Sequence, residues 1–426
     1  MISKIKIWQF ITSVSVLIAV VRSNYIISLM NLWFDILKSL VNEGVNIFSI
    51  FDYSLIDSLF SSLLIFIIPI VFIINSRLKK IFSSQLKLSN AVLTLLMLAF
   101  IFAPLITLQN PEFQKDIRVT KLLQPFSVVK YVELKKNIQT DFNELQILKS
   151  KVDEIIPKSY NNEIVYFDSS LISNSFKYYQ TERISEIELS ILKSINGKPV
   201  VRTKMFLLGS DEYGRDVFTR IIFGSRISLL VGFGAVIISL LLGIILAFIA
   251  AENGGVLNLV ISRITDLFLT FPAIFLVMLI LALFGSNVFS IIVVLGFTGW
   301  MSLFKIAKSE IISIKSKEYY LSAKLIGLKN SKLLIREILP VIIVPVMVNL
   351  IFQFSNVVLA ESALSFLGLG LGNNSPSWGA MIESGQRYIE QSWWLIFMPG
   401  FVLVVTLLSI NELGRKISKS FNPTFE

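Results

Sequence analysis

Two glycines, Gly209 and Gly214, have the spacing of a loop that binds phosphate. Such a loop has the pattern Gly-x4-Gly-Lys-Ser/Thr, in which the lysine contacts the phosphate and the hydroxyl binds Mg²⁺. Arg215 and Asp216 occupy those two positions here, and the carboxylate of Asp216 would repel a phosphate. The pattern therefore does not predict ATP binding. Two alternatives remain for this stretch: a polar turn followed by an amphipathic helix over 215–223, or a substrate contact.

Other chemistry is restricted by two missing residue types, because the chain has neither cysteine nor histidine. It therefore has no disulfide framework, no thiolate nucleophile and no imidazole base or metal ligand. The acidic residues show no clustering with the spacing of metal ligands. Asp266 and Glu361 lie near the ends of apolar runs, where an interfacial role and a role within a membrane are both open. We predict no catalytic residue, no metal site and no cofactor site.

The composition indicates a membrane protein. Hydrophobic residues make up 54% of the 426 residues and charged residues only 16%, whereas soluble domains have about 25% charged residues. The runs long enough to cross a bilayer are 7–30, 54–75, 91–108, 228–251, 267–285, 289–304, 338–360 and 393–411. Arg22 interrupts the first run, so a cleaved signal peptide is the alternative there. We predict an all-α polytopic fold with seven or eight spans.

The distribution of basic residues predicts the orientation, because short cytoplasmic loops are rich in lysine and arginine. The segment 305–337 holds eight such residues against three acids, and 77–87 and 415–419 are also basic. Both termini are therefore expected in the cytoplasm, and the net charge of +10 reflects cytoplasmic loops rather than nucleic-acid binding. The long segment 109–226 is then outside. Alternating stretches in it, such as NEIVYF, predict short strands.

A basic segment between two apolar runs, Glu318 to Pro340, has the pattern of two short helices. In the first, one face is expected to carry Tyr319, Ala323 and Ile326. Gly327 is placed to end that helix in a left-handed conformation, and Asn330 or Ser331 is placed to cap the second helix. Two roles fit these residues equally: a rigid contact for a soluble partner, or a basic loop held near anionic headgroups.

Three motifs together resemble those of the inner-membrane permeases of dipeptide/oligopeptide ABC importers, and specifically their C-type subunit. The first is matched by Gly209, Asp211, Gly214, Arg215, Asp216, Arg220, Gly224, Arg226 and Ser228, with Ser210 and Thr219 in place of Thr and Ser. The second, RITDLFLTFP, is matched by Arg263, Asp266 and Pro272. The third, ESALSFLGLGLGNNSPSWGAMI, is matched by Glu361, Gly368, Gly370, Pro376, Trp378 and Gly379. The resemblance covers about 90–420 and does not extend to 1–75.

The resemblance implies that the 318–340 segment is the coupling loop that sits in a cleft of an ATPase subunit. The residues it assigns to this role are Glu318, Leu321, Ser322, Ala323, Gly327 and Pro340. Gly327 and Pro340 match the family motif. Leu321, Ser322 and Ala323 stand where the family has Glu-Ala-Ala, so a carboxylate that could pair with the ATPase is missing.

The resemblance also implies a six-helix permease core of the type I importer kind. The expected segments are an N-terminal extension with about two transmembrane helices (1–88), the first core helix (89–110), a large outer loop ending in an amphipathic helix (111–226) and five further core helices (227–426). The implied partners are a second homologous permease, two ATPase subunits that bind ATP–Mg²⁺, an extracytoplasmic binding protein and membrane lipids. The chain itself would be a non-enzymatic subunit of the bacterial plasma membrane, without a cofactor of its own.

Three alternatives to peptide import stay open. Members of the same family move nickel, glutathione and some sugars, although a chain without histidine and cysteine is poorly suited to contact nickel directly. A channel or receptor would need no ATPase partner. A membrane enzyme is disfavoured by the lack of histidine and cysteine.

The length and position of the outer loop indicate a contact with the delivery protein.

Overall fold

The computed structural model describes residues 5–43, 51–135, 144–172, 175–195, 198–372 and 375–421. The chain divides into two compact units. The first comprises Met1–Ser225 and Ser384–Pro399, and the second comprises Arg226–Glu383 and Gly400–Glu426. Each unit is built around apolar helices, because in lipid the backbone polar groups must be satisfied within the chain.

The first unit begins with helices that carry long apolar stretches. They are α1 (Ile7–Val21), α2 (Ser23–Glu43), α3 (Tyr53–Ile74), α4 (Ser76–Ile81) and α5 (Leu88–Ile106). Leu29, Ile36, Leu55 and Phe102 are fully buried in the core that α1, α2, α3 and α5 share. The predicted spans at 54–75 and 91–108 correspond to α3 and α5.

The predicted run at 7–30 is not one helix. The chain bends by 79° between α1 and α2, at Arg22, the residue that interrupts the apolar pattern. The guanidinium of Arg22 donates hydrogen bonds to the carbonyl oxygens of Leu105 (3.0 Å) and Ile106 (2.9 Å). These carbonyls belong to the last turn of α5, whose backbone acceptors lack partners within the helix. A charge in an apolar run is thus accommodated by a helix end.

The remainder of the first unit contains a strand-rich domain over residues 117–206. Its elements are α6 (Ile117–Thr120), β1 (Ser127–Glu133), α7 (Glu144–Ile155), β2 (Ile164–Phe167), β3 (Ser169–Ile172), β4 (Phe176–Gln180), β5 (Arg183–Ile187), β6 (Ser194–Ile195), β7 (Lys198–Pro199) and β8 (Val201–Phe206). Antiparallel pairing gives three sheets, ordered β2-β1-β8, β3-β4-β5 and β6-β7. The strand expected in NEIVYF is confirmed as β2. In the first sheet Val132 of β1 pairs with Val165 of β2 and Val201 of β8. Val132 and Val165 are buried in one apolar cluster, whereas Val201 is exposed.

The second unit holds the longest helices. The elements from its start to the end of the chain are α8 (Val217–Asn253), α9 (Gly255–Thr270), α10 (Ala273–Phe284), α11 (Val288–Lys315), α12 (Glu318–Leu325), α13 (Asn330–Lys332), a π-helical turn (Leu333–Ile338), α14 (Leu339–Phe366), α15 (Trp378–Gln386) and α16 (Trp394–Phe421). The unit boundaries fall within α8, α15 and α16. Among the described residues, six helices are long and apolar enough to cross a membrane, or up to eight spans if each of two bent pairs counts as one.

Three predicted boundaries were wrong. The expected amphipathic helix at 215–223 is no separate element, because α8 runs without a break from Val217 to Asn253. The predicted span 267–285 is broken at Phe271 and Pro272, where α9 and α10 meet at 90°. The helical backbone conformation is sterically disfavoured for the residue before a proline, here Phe271, which explains why the helix breaks at this point. The predicted loop at 305–337 begins as helix, because α11 continues to Lys315.

Candidate functional site: the coupling segment and the buried signature residues

The coupling segment, residues 318–340, starts with the predicted short helix, α12. Of the predicted face only Ala323 is buried. Tyr320 is 1% exposed and Ala323 is 8% exposed, whereas Tyr319 is 44% and Ile326 is 82% exposed. Tyr320 and Ala323 are three residues apart and share a face. Ile326 is the C-cap residue and lies outside the helical stripe, so the periodic pattern did not apply to it.

The anchor of α12 is Glu252, a residue that sequence reasoning missed. It lies at the end of α8, and its carboxylate accepts hydrogen bonds from Tyr320 Oη (2.7 Å) and Lys324 Nζ (2.5 Å). Lys315 Nζ of α11 lies 3.3 Å from the same carboxylate and also donates to the carbonyl of Ala251 (2.6 Å). The side chain of Glu252 is only 6% exposed. A single acid closing a long apolar run was the available signal.

The contact with Glu252 changes the chemistry of Tyr320. Burial raises the pKa of the Tyr320 phenol, and the hydrogen bond to the Glu252 carboxylate raises it further. The phenol therefore remains a neutral donor at physiological pH. Lys315 and Lys324 supply the positive charge that offsets the carboxylate, and the phenol adds a hydrogen bond. Together these contacts fix α12 against the ends of α8 and α11.

Gly327 ends α12 as predicted. Its φ is +82°, and no atom lies within 4 Å of the position that a Cβ would take. The N–H of Gly327 donates to the carbonyl of Lys324 (3.0 Å), and the N–H of Leu328 donates to that of Ala323 (3.3 Å). These two bonds form a Schellman motif, in which glycine is favoured for its left-handed conformation. The glycine is therefore required by the backbone geometry and not by lack of space.

The second predicted helix of the segment is only partly right. The residue preceding it is Lys329, with no side-chain cap, so neither Asn330 nor Ser331 is the N-cap. α13 leads into a π-helical turn, and α14 follows with Pro340 in its first turn. Proline has no N–H for the preceding turn and its ring crowds that turn, which accounts for the wider helix before it.

The outward face of α12 and its terminal turn is apolar. Leu321 is 49% exposed, Leu325 88% and Ile326 82%, and Glu318 and Ser322 are exposed beside them. Single exposed apolar residues are ordinary on protein surfaces, but a contiguous group marks an interaction site. The fixed helix thus presents three aliphatic side chains.

The first signature motif forms a buried ion cluster in the first unit. Arg215, 2% exposed, contacts Asp211 Oδ2 through Nε (2.6 Å) and Glu112 Oε2 through Nη1 (2.6 Å). Arg220, 3% exposed, contacts Glu112 Oε1 (2.7 Å). Burial alone would lower the pKa of Arg215, but the charges of Asp211 and Glu112 outweigh it and raise the pKa. Glu112 lies about a hundred residues away from these partners, so the sequence alone did not indicate it.

The glycines of this motif permit close backbone approach. Gly209 has φ +80° and Gly214 has φ +75°; a Cβ at Gly214 would lie 2.1 Å from Thr120 Oγ1, and one at Gly209 would lie 2.4 Å from the carbonyl oxygen of Leu123. Asp216 accepts a hydrogen bond from Thr219 N (2.9 Å) at the start of α8, as an N-cap residue does. The arrangement favours the structural alternative over a substrate contact.

The third signature motif surrounds a buried acid in the second unit. Glu361 of α14 is fully buried. Ser365 Oγ donates to its carboxyl oxygen (3.0 Å), and the hydroxyls of Ser228, Ser362 and Ser377 also contact the carboxyl group. The motif residues converge on this acid. Ser228 of the first motif also accepts a hydrogen bond from the backbone N–H of the buried Trp378 (3.3 Å).

The glycines of the third motif let two chain segments meet around that acid. A Cβ at Gly370 would lie 2.1 Å from Ser365 Oγ, and a Cβ at Gly379 would lie 2.6 Å from Ser362 Cα. Gly368 ends α14 with φ +78°.

The remaining signature residues lie elsewhere. Arg226 is half-buried in α8, and Arg263 is exposed on α9. Asp266 forms its ion pair with Lys305 of α11 (2.8 Å) rather than with Arg263.

We predict that Glu112→Gln lowers the free energy of unfolding by about 2–4 kcal/mol, because it leaves buried arginines with less compensating charge. The loss is set below that of a fully buried pair since Glu112 is 26% exposed. Unfolding of the detergent-solubilised chain measures it. Asp153→Asn, which removes an exposed pair with Lys158, is the matched control and should change stability by less than about 0.5 kcal/mol. Equal stability of both variants would contradict the cluster's role.

We predict that Glu252→Gln loosens α12, because two charged contacts and one charge-assisted hydrogen bond lose their acceptor charge. Hydrogen exchange of the backbone amides in 320–328 should speed up by about tenfold. Glu310→Gln in α11 is the control, and its exchange in the same segment should match the unsubstituted chain. Unchanged protection in Glu252→Gln would show that packing alone holds the helix.

The comparisons with known proteins converge on one family. Residues 218–422 match the model of the binding-protein-dependent transport system inner membrane component. The dipeptide transport system permease protein DppC of Alkalihalophilus pseudofirmus is 34% identical over 215 residues, which are 50% of this chain and 71% of that protein. The oligopeptide transport system permease protein OppC of Haemophilus influenzae is also 34% identical over 215 residues, 50% and 69% of the two chains.

One solved structure is also similar. A crystal structure of an amino acid ABC transporter with histidines covers 48% of this chain and 94% of its own, with 17% identity and a TM-score of 0.38. The sequence relatives, and not this likeness, carry the assignment. The range matched by the family model starts after the Gly209–Asp216 turn and does not include the strand-rich domain or the N-terminal helices.

Proposed function

The chain belongs to the family of binding-protein-dependent transport system inner membrane components, and we propose that it is the permease subunit of an ABC importer for dipeptides or oligopeptides. It would pair with a second, related permease to form the path across the membrane. Two ATPase subunits would bind and hydrolyse ATP, and an extracytoplasmic binding protein would deliver the peptide. In this proposal the chain catalyses no reaction and binds no cofactor. The names of its relatives support peptides as the substrate class.

The observation that carries the proposal is the apolar surface of Leu321, Leu325 and Ile326 on a helix that is fixed from behind. Exposed aliphatic side chains lose contact with water when a partner covers them, at roughly 25 cal/mol per Å². An ATPase cleft that accepts this face would gain that energy without a salt bridge. This suits a chain whose coupling segment has Leu321, Ser322 and Ala323 in place of Glu-Ala-Ala.

Force would pass from α12 into the membrane through two connections. Glu252 joins α12 to the end of α8, and Lys315 joins the same carboxylate to the end of α11. On the other side, α13 and the π-helical turn run directly into α14. A displacement of α12 would therefore act on three long helices at once. We propose that the 318–340 segment faces the cytoplasm, in keeping with its basic residues, and that both chain termini do as well.

We predict that the double substitution Leu325→Ser and Ile326→Ser abolishes peptide uptake and co-purification of the ATPase subunits, because it removes most of the docking surface. Membrane insertion should not change. Leu283→Ser with Phe284→Ser, an equally exposed apolar pair at the end of α10, is the control and should retain the ATPase. Retention of the ATPase and of uptake by the 325/326 variant would refute the coupling role.

We predict that Gly327→Asp abolishes transport while membrane insertion stays intact. The carboxylate would lie at the C-terminal end of α12, where the helix dipole disfavours negative charge, and next to the apolar docking face. Gly285→Asp is the control, since Gly285 also has a left-handed backbone (φ +80°) with open space around it. Peptide uptake and peptide-stimulated ATP hydrolysis measure the effect. Normal coupling in Gly327→Asp would contradict the assignment.

A further inference from the structure

A cavity of about 410 Å³ lies within the second unit, between α10, α11 and α14. None of the described residues that line it is charged. One part of the lining is aliphatic, and the other part carries the neutral polar side chains Thr298, Ser302, Asn349, Gln353 and Asn356. The cavity shares none of its lining residues with the coupling segment or with the Glu361 cluster.

The three amides form a stripe on one helix. Asn349, Gln353 and Asn356 are separated by four and three residues along α14, and this spacing places side chains on the same helix face. Helical periodicity thus gives the cavity one wall of amide groups. An apolar span has no need of three amides on one face for packing or insertion, since polar groups at membrane depth are unfavourable there.

Three atoms of these amides lack hydrogen-bond partners within the described residues. Oδ1 of Asn349 and both Oε1 and Nε2 of Gln353 are buried, and within the described residues they have no partner. Buried polar atoms are nearly always bonded, so atoms that are left without a partner are unusual. The polar wall of the cavity is therefore unsatisfied, and a ligand that enters with its own donors and acceptors would complete it.

Gly299 of α11 keeps this wall in place. A Cβ at Gly299 would lie 1.9 Å from Gln353 Nε2 and 2.4 Å from Ser239 Oγ. The hydroxyl of Ser239 is already engaged, because it donates to the carbonyl oxygen of Gly296 (2.7 Å). The Gln353 amide is thus pressed against the α11 backbone at a site where glycine alone leaves room for it.

We propose that this cavity binds the main chain of the transported peptide through the amides of Asn349, Gln353 and Asn356. An amide side chain donates and accepts hydrogen bonds in the same way as a peptide group. A lining without charge favours neither sign of charge, so the site would not select peptides by the sign of their side-chain charges. The proposal rests on the proposed peptide import and names where this chain contacts the substrate.

The lack of cysteine in the chain provides a direct test. In the assembled transporter in native-host membranes, Gln353→Cys and Asn356→Cys each introduce a single thiol. A charged, membrane-impermeant methanethiosulfonate reagent should modify both, and trialanine, Ala-Lys-Ala and Ala-Glu-Ala should each slow the modification by about fivefold. Met347→Cys is the control. Met347 is exposed on the membrane-spanning helix α14 but does not line the cavity, so a charged reagent that reaches α14 only through the cavity should not modify it. Thiols at 353 and 356 that remain unmodified, or that no peptide protects, would overturn the proposal.

Measurements of peptide uptake distinguish a failure of the cavity site from a failure of the proposed function. Asn349→Leu with Gln353→Leu should raise the half-saturating trialanine concentration about tenfold or more, which is the effect of losing two hydrogen bonds, while ATPase co-purification persists. Asn258→Leu in α9, an amide outside the cavity, should transport normally. Normal uptake by the 349/353 variant would overturn the cavity site alone. Absence of peptide uptake by the unsubstituted transporter would overturn the proposed function.

Discussion

Charge that is removed from water must be compensated within the protein, and this constraint accounts for the contacts of Arg22, Glu112 and Glu252. Arg22 bends the first apolar run and donates to the carbonyl end of α5. Glu112 holds two buried arginines of the first signature motif. Glu252 gathers a phenol and two ammonium groups at the end of α8. In each case one charged residue joins segments that are distant in sequence.

The Glu252 network also explains how a short helix can be held rigidly. An isolated helix of the length of α12 is not stable in water, because nucleation is unfavourable. Burial of Tyr320 and Ala323, the bonds to Glu252 and the Schellman turn at Gly327 together hold it. The side chains left outward, Leu325 and Ile326, are then presented by a rigid element. A flexible basic loop near headgroups would require none of these contacts.

The amide wall of the cavity in the second unit is not paired in this way. Asn349 and Gln353 retain buried amide atoms without partners among the described residues, as do a few other side chains, such as Ser15 and Trp300. Proteins tolerate unsatisfied polar groups chiefly where function requires them. In a transporter, a site that is complete only when occupied binds substrate without holding it permanently. The neutral lining is compatible with substrates that share a main chain and differ in side chains.

Apolar runs and basic loops were readable from the sequence because they depend on composition over about twenty residues. The spans at 54–75 and 91–108, the strand in NEIVYF and the left-handed Gly327 followed from local patterns, and the motifs led to the family. The break at Pro272 was misjudged because the hydropathy of 267–285 does not register a change of direction.

Only the tertiary structure decided which distant residues meet. Glu112 and Glu252 are single acids without a local motif. Glu252 closes a long apolar run, but nothing in the sequence identified the partners of either acid. The buried face of α12 was likewise set by the end of α8 and not by periodicity, which is why Tyr320 replaced the predicted Tyr319. Local patterns determine helices, turns and membrane runs, whereas compensation of a buried charge depends on partners that the fold alone brings within hydrogen-bonding distance.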